Sequence, residues 1–290
     1  MAGVEGRVAI VTGAGQGLGE SYALALAAAG ALVVVNDIGQ GETDTAARVV
    51  DAIVSKGGQA IADRNSVASA EGSQAIVQSA LDAWGRVDIL VSNAGIERNQ
   101  SYAKSTDEQW HAVVDVHLNG THYLCRAAWP HMIAQGHGRI IPITSPSGLW
   151  GNFSQSSYAA AKMGIIGLAN VLTIEGRRYG ILTNCVAPIA TTPMSAGLLS
   201  PELAERLSPD HVAPLILRLA SDELDTSGGI LIAGGGWVSS AHIALTPGVK
   251  LDHVASPGEL EGHWPTIMDA STATVGRTLD PATLEKMFVG

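Results

Sequence analysis

The sequence predicts an open α/β fold in which one doubly wound, seven-stranded parallel sheet carries helices on both faces. Three observations predict it. Short β-rich apolar runs alternate with amphipathic stretches through the first 240 residues; a glycine-rich turn follows the first run and leads straight into a helix; and 46% of the 290 residues are apolar while 15% are charged. Near-continuous apolar runs suit strands buried on both faces, and the stretches between them are long enough to be the crossovers that parallel pairing needs.

In chain order, strands are expected at Arg7–Thr12 (RVAIVT), Leu32–Asp37 (LVVVND), Gln59–Ala62, Val87–Val91, Arg139–Thr144 (RIIPIT), Leu182–Val186 and Gly229–Ile232. Thr106-Asp-Glu-Gln109 is a capping box that should open a long helix reaching about Ala134, and Tyr158–Tyr179 is rich in alanine and leucine. After Ser240 the pattern weakens into a tail with scattered Pro, Thr and Gly and a short helical stretch near Pro281–Met287. A length prior of ~150 residues per domain suggests two domains. The pattern divides the chain otherwise: residues 1–240 as one domain, and 241–290 as an extension packed on that domain or on a dimer.

The same composition excludes disorder, collagen and a disulfide scaffold, since Cys125 and Cys185 are the only cysteines and the 34 glycines show no period of three. The longest unbroken apolar stretch, Tyr22–Val35, is 14 residues with a glycine inside, short of the ~18 a membrane span needs. Glu5, Arg7 and Glu20 interrupt any secretory leader, and the final Met-Phe-Val-Gly is not a peroxisomal address, so the cytoplasm is the expected location. A net charge of −10 opposes nucleic-acid binding. No metal site is expected.

T-G-A-G-Q-G-L-G, with Gly13, Gly15, Gly17 and Gly19, lies between the first strand and a helix. A pyrophosphate needs a turn free of side chains and gains from the unpaired N–H groups and positive dipole end of the helix behind it. Asp37, eighteen residues beyond Gly19, ends the second strand. Its carboxylate can accept from both ribose hydroxyls and would repel a 2′-phosphate, and no Arg or Lys stands in the glycine loop or at Ile38, Gly39, Gln40 and Gly41, which favours NAD over NADP. A turn or cap role for Asp37 remains the alternative.

Tyr158 and Lys162 lie at i, i+4 on one helix face. A free tyrosine, with a pKa near 10, is a poor base until a cation stabilises its phenolate; a drop of ~3 units needs roughly 4 kcal/mol, more than one exposed charge gives. Ser145 emerges at the carboxyl end of RIIPIT, where open α/β sheets bind ligands, although Pro146 and Ser147 beside it also fit a plain turn.

T-G-A-G-Q-G-L-G, Asn93-Ala94-Gly95, Ser145 thirteen residues before Tyr158, and Lys162, in this order across residues 5–240, resemble the short-chain dehydrogenase/reductase superfamily. The resemblance implies a Rossmann-type sheet, Tyr158 as general acid/base, Ser145 orienting the substrate oxygen, and Lys162 binding the nicotinamide ribose while lowering the Tyr158 pKa. It makes Asn93 a brace beside the cofactor. It further implies an NAD site of Gly13, Gln16, Gly17, Leu18, Gly19, Asp37, Asn65, Ser66, Val67, Asn93, Ala94, Gly95, Tyr158, Lys162, Pro188 and Thr191. The family's fourth catalytic residue is an asparagine in V-N-x-x-G; here Val116-His117-Leu118-Asn119-Gly120 puts His117 there. Asn119 cannot substitute, because i and i+2 on a helix point about 200° apart. His117, with an ordinary pKa near 6.5, either relays protons between Lys162, water and solvent or is a structural histidine bonded to backbone.

This histidine, with R-I-I-P-I-T-S-P-S-G-L-W-G-N-F-S-Q-S-S-Y, V-V-V-N-D-I-G and A-P-L-I-L-R-L-A, resembles the dehydrogenase unit of multifunctional enzyme type 2. That implies (3R)-3-hydroxyacyl-CoA, a 17β-hydroxysteroid or a sterol-derived CoA thioester as substrate, and a tail such as Trp237–Gly290. Departures are Asn65 in place of an acid that contacts adenine, Ser92 in place of the first Asn of Asn-Asn-Ala-Gly, and Pro188-Ile-Ala-Thr191-Thr192 in place of a Pro-Gly turn; Thr191 or Thr192 is the candidate for the nicotinamide carboxamide. Thr192–Ser208, with Met194, Leu198, Leu199, Leu203 and Leu207, is either a lid over an apolar small-molecule substrate or an ordinary packing helix. CoA phosphates would call on Arg98, Lys104 or Arg206. Helices near 107–134 and 156–179 are the family's dimer faces, implying a homodimer or homotetramer. The expected activity is NAD-dependent interconversion of a secondary alcohol and a ketone; a non-catalytic NAD-binding homologue and a 3-oxoacyl thioester reductase stay open.

Overall fold

The computed structural model describes residues 3–39, 43–191 and 200–275. Five of the first six strands fall where unbroken β-branched runs predict them: β1 (Val8–Thr12), β2 (Leu32–Asn36), β3 (Gln59–Asp63), β4 (Ile89–Ser92) and β5 (Gly138–Pro142). With β6 (Ile181–Thr183) they make a six-stranded sheet of order β3-β2-β1-β4-β5-β6, parallel throughout. The chain winds outward from β1 to β3, returns to β4 and winds the other way, so the order reverses between β1 and β4. In open α/β sheets, the crevice at such a reversal is the ligand site.

The expected seventh strand, and the expected single strand Leu182–Val186, come out differently. The run is divided at Asn184 into β6 and β7 (Cys185–Pro188), and β7 pairs with β8 (Ile230–Gly234) in a three-stranded sheet completed by β9 (Trp237–Ala241). Asn184 still bonds the neighbouring strand through its N–H, 3.0 Å from the Ile140 carbonyl. Its side chain, however, accepts from the Gly229 N–H and donates to the Thr226 carbonyl. One parallel bridge, Ile143 to Val186, joins the two sheets.

The helices are α1 (Gly17–Ala28), α2 (Thr45–Val54), α3 (Ala70–Trp84), α4 (Asp107–Val114), α5 (Gly120–Gln135), α6 (Pro146–Trp150), α7 (Ser156–Gly176), α8 (Pro201–Arg206), α9 (Ala213–Ala220) and α10 (Pro257–Met268). Strand side chains alternate between two cores. Ala9, Val11, Val33 and Val35 pack with Tyr22, Leu26, Val49 and Ile216 from α1, α2 and α9. Val8, Ile10, Val34 and Leu90 pack with Ile76, Val77, Leu124 and Met132 from α3 and α5. Burial on both faces is the reason these strands read as continuous apolar runs rather than as an alternation.

The capping box is present, with Thr106 and Gln109 each accepting the other's backbone N–H. The long helix it opens is interrupted, though: residues 115–119 form one wider π turn between α4 and α5. Ser156–Tyr179 is 24 residues, long and apolar enough by length and composition to cross a membrane. In this fold it lays Ala161, Ile165, Ile166 and Ala169 into the protein.

The contacts group into two compact units, Met1–Ser240 and Ala241–Gly290. The second holds a small antiparallel pair, β10 (Ala244–Leu245) with β11 (Thr274–Val275), and α10, which a Ser256/Glu259 capping box opens. The stretch Pro281–Met287 and residues 192–199 of the Thr192–Ser208 segment lie outside the described residues; the rest of that segment, with α8, is seen.

Candidate active site

The site is built at the carboxyl ends of β1, β4 and β5. After β1 the chain turns through Gly13, which adopts φ +62°, and enters α1 at Gln16, whose side chain caps no helix N–H. The glycines are required by close approach. A Cβ at Gly13 would stand 2.8 Å from the Ala94 Cα. At Gly15 it would collide with Thr45 and the Asp37 carboxyl carbon, and at Gly19 with the Gly13 carbonyl and the Asn93 side chain. A backbone cradle opening onto uncapped helix N–H groups fits a pyrophosphate.

Asn93 fastens this loop to the end of β4. Its Nδ2 donates to the carbonyls of Thr12 (2.9 Å) and Gly13 (3.2 Å), and the Thr12 hydroxyl accepts the backbone N–H of both Asn93 and Ala94. Asp37 accepts from the Gly15 N–H (3.0 Å), the Gly39 N–H (2.8 Å) and the Thr45 hydroxyl (3.0 Å), so its carboxylate faces the glycine loop and also makes the local turn bond that was its alternative role. Arg48, which sequence proximity did not bring to notice, reaches the Gly15 carbonyl from α2 at 2.8 Å and is ion-paired with Glu20.

Asn65 donates through its backbone and side chain to Asp63, and Asp63 also accepts from Asn36. Asp63 was not singled out from sequence, yet it is the buried carboxylate that orders the loop after β3. Ser66 accepts the Ala68 N–H, and Val67 is buried, its carbonyl accepting from the Ser73 hydroxyl. Gln16 stands exposed at the loop tip and Leu18 is half-buried behind it.

After β5, Ser145 leaves the sheet in an extended conformation and caps α6, its hydroxyl accepting the Ser147 N–H at 3.1 Å. A Cβ at Gly148 would sit 2.8 Å from the Lys162 Cβ, so a glycine there lets α6 lie directly on α7. The result is that Ser145, Tyr158 and Lys162 converge. Lys162 is buried, donates Nζ to the Ile143 carbonyl at 2.6 Å, and lies 5.5 Å from the centre of the Tyr158 ring. Burial lowers the Lys162 pKa to about 7. Burial also raises the Tyr158 pKa; the Ser145 hydroxyl, bonding to the phenol, pulls it back down, and the Glu97 carboxylate adds to the rise.

The π turn carries His117 into the same place. Its ring meets the Tyr158 ring edge-on at 5.1 Å, and its Nε2 lies 2.8 Å from the Ile96 carbonyl and 3.1 Å from the Ile96 N–H. Nδ1 is buried without a protein partner among the described residues. Burial, with the Lys162 charge adding to it, lowers the His117 pKa to about 3, so the ring is neutral at neutral pH. Of the two roles open to it, this favours the structural one: such a ring does not readily carry a proton as imidazolium. Gly95 makes the fit possible, since a Cβ there would lie 2.3 Å from the His117 Cε1.

Thr191 is bonded to the segment of α8. It follows β7, its N–H donates to the Leu207 carbonyl and its hydroxyl to the Ala204 carbonyl at 3.0 Å, so α8 takes up the group expected to hold the carboxamide. Pro188 ends β7, and Thr192 lies outside the described residues. Among the described residues no cluster of His, Cys, Asp and Glu could hold a metal ion.

The profile of the short chain dehydrogenase family matches residues 7–202. A short-chain type dehydrogenase/reductase of Mycobacterium tuberculosis is 44% identical over 281 residues, covering 95% of this chain and 98% of that one. The peroxisomal multifunctional enzyme type 2 of Mus musculus is 43% identical over 288 residues; the match covers 96% of this chain but 39% of that protein. In structure, a short chain dehydrogenase from Mycobacterium avium superposes with a TM-score of 0.83 at 37% identity, over 91% of this chain and 95% of that one.

Proposed function

The chain belongs to the short-chain dehydrogenase family, and on that premise we propose that it is an NAD-dependent secondary-alcohol dehydrogenase whose substrate is a (3R)-3-hydroxyacyl thioester. The observation that carries the chemistry is the convergence of a buried ammonium, a phenol and a serine hydroxyl at the carboxyl end of the sheet, beside the glycine cradle. Ser145 and Tyr158 receive the substrate hydroxyl between them, and the Tyr158 phenolate takes its proton as the carbinol hydrogen leaves. Lys162 stabilises the phenolate from its buried position; in the reverse direction Ser145 and Tyr158 donate to the developing alkoxide. Nicotinamide, when bound, supplies the hydride acceptor.

Support for NAD comes from Asp37, aimed at the glycine loop, and from Arg48, whose guanidinium Glu20 and the Gly15 carbonyl already engage, leaving it poorly placed to receive a 2′-phosphate. Support for the substrate comes from similarity to the multifunctional enzyme at 43% identity. A hydroxysteroid remains the second candidate, and a homodimer or homotetramer is inferred from Met163, Val171 and Ile174, which leave an apolar stripe of α7 exposed. The test compares (3R)-3-hydroxyacyl-CoA with a 17β-hydroxysteroid, each with NAD and with NADP. The reading expects turnover of the thioester with NAD and a loss of 10²–10⁴-fold in Tyr158→Phe. NAD binding with no turnover of either alcohol would instead identify a non-catalytic homologue.

A further inference from the structure

The glycine loop itself carries no cation, but the fold brings one to it. Arg48, the fourth residue of α2, donates Nη2 to the Gly15 carbonyl at 2.8 Å, while the N–H of the same glycine donates to the Asp37 Oδ2 at 3.0 Å. Thr45, three residues before Arg48 and so on the same face of α2, donates its hydroxyl to the Asp37 Oδ1 at 3.0 Å. The guanidinium and the Asp37 carboxylate are thus bonded to the two ends of one residue, Gly15.

Asp37 alone repels a 2′-phosphate, but a guanidinium this near can make up for that repulsion, because guanidinium and phosphate form charge-assisted, bidentate hydrogen bonds. Glu20, in the first turn of α1, stands in the way. Its carboxylate takes both terminal nitrogens of Arg48, Nη1 on Oε1 at 2.8 Å and Nη2 on Oε2 at 2.7 Å. With the Gly15 carbonyl, this fixes the guanidinium at three points although 53% of the Arg48 side chain is exposed, so that without Glu20 the head group is free to turn. Arg64, which follows β3 beside Asp37, is taken up separately by Asp44. Removing Glu20 therefore deletes one negative charge and frees one positive charge beside Asp37, and leaves the Arg64–Asp44 pair as it is.

We propose that Glu20 is a positioning residue that sets the choice between NAD and NADP: by holding Arg48 with both carboxylate oxygens against the Gly15 carbonyl, it withholds that cation from a 2′-phosphate at the ribose position given to Asp37. The inference rests on the NAD reading above and deepens it, since Asp37 supplies the repulsion and Glu20 prevents its compensation. One cation released beside a phosphate in a half-exposed setting changes affinity by about tenfold once solvent screening is allowed for.

The experiment titrates NADH and NADPH by their fluorescence and compares dissociation constants in the native protein, in Glu20→Ala, and in Glu20→Ala combined with Arg48→Met. In Glu20→Ala the ratio of the NADPH constant to the NADH constant should fall about tenfold, through tighter NADPH binding, and adding Arg48→Met should restore the native ratio. A general loosening of the cradle weakens both nucleotides alike; an unmoved ratio of that kind overturns the inference and leaves the NAD reading intact. A gain that survives Arg48→Met also overturns it, because the effect would then belong to the Glu20 charge alone. If Glu20→Ala does not fold, Glu20→Gln, which keeps an acceptor but no charge, must move the ratio in the same direction, and an unmoved ratio there overturns the inference equally. A native protein that binds NADPH as tightly as NADH overturns the NAD reading and the inference together.

Discussion

Gly95 and His117 fit as a pair. The glycine leaves the space that the imidazole fills, and the imidazole fixes Ile96, which begins the loop carrying Glu97. A methyl group at position 95 would have to push the ring off Tyr158 or the loop off His117, and overpacking of this kind typically costs 1–3 kcal/mol. Gly95→Ala should therefore lower stability by about 2 kcal/mol in urea melts and reduce kcat. Because the clash is with the ring, His117→Ala should recover part of the loss when combined with Gly95→Ala. A double-mutant cycle should give a coupling of about 1 kcal/mol, whereas simple additivity would show that the two do not interact.

At the scale of elements, the site depends on how firmly β4 holds the loop after β1, and that link is mostly Asn93. Removing its amide leaves the Thr12 and Gly13 carbonyls without their side-chain donor, at a cost of about 1–3 kcal/mol. Asn93→Ala should also weaken NAD binding by about tenfold in a titration, since the cradle loses its brace while Asp37 and the α1 N-terminus remain; an unaltered dissociation constant would show that the cradle holds its shape without the brace. Such staples were legible from sequence because motif order placed Asn93-Ala94-Gly95 after a strand. The β-branched runs likewise gave the strands, and Thr106 with Gln109 gave the start of α4. Asn184 could not be read as a strand break, because its side chain bonds backbone groups more than forty residues away. The π turn was equally hidden, being settled where Gly95 and Ile96 meet His117. The Ser256/Glu259 capping box of α10 is a local signal that the sequence carries, whereas Glu97 and Asp63 offer none because only the fold gives them neighbours.

Across the whole molecule, groups that resist protonation sit at both ends of the sheet. At the carboxyl end His117 is held neutral, with a pKa lowered to about 3. At the amino end Arg7, Arg86 and Asp222 gather around Asp88, which accepts the Val8 N–H, while buried Arg139 donates to the Ser221 carbonyl. There burial and the nearby Arg139 lower the His137 pKa to about 4, and the Asp88 pKa also lies below its ordinary value, the pull of Arg86 and the Val8 N–H outweighing burial. All three shifts have one sign. A histidine with an ordinary pKa near 6.5 binds a proton in the unfolded chain where the folded one refuses it, so the stability it confers is whole above about pH 6.5 and is lost as pH falls toward the folded value; Asp88 adds its share below the ordinary carboxylate range. Two histidines taking up protons on unfolding give a slope of at most about 2.7 kcal/mol per pH unit, so urea melts should show stability falling from near pH 6 and not first near pH 4. His117→Asn removes one of the two protons and should roughly halve the slope between pH 6 and pH 4.5. A slope unchanged by that substitution would place the acid sensitivity wholly at the amino end of the sheet, and a flat profile down to pH 5 would show that neither histidine is held neutral.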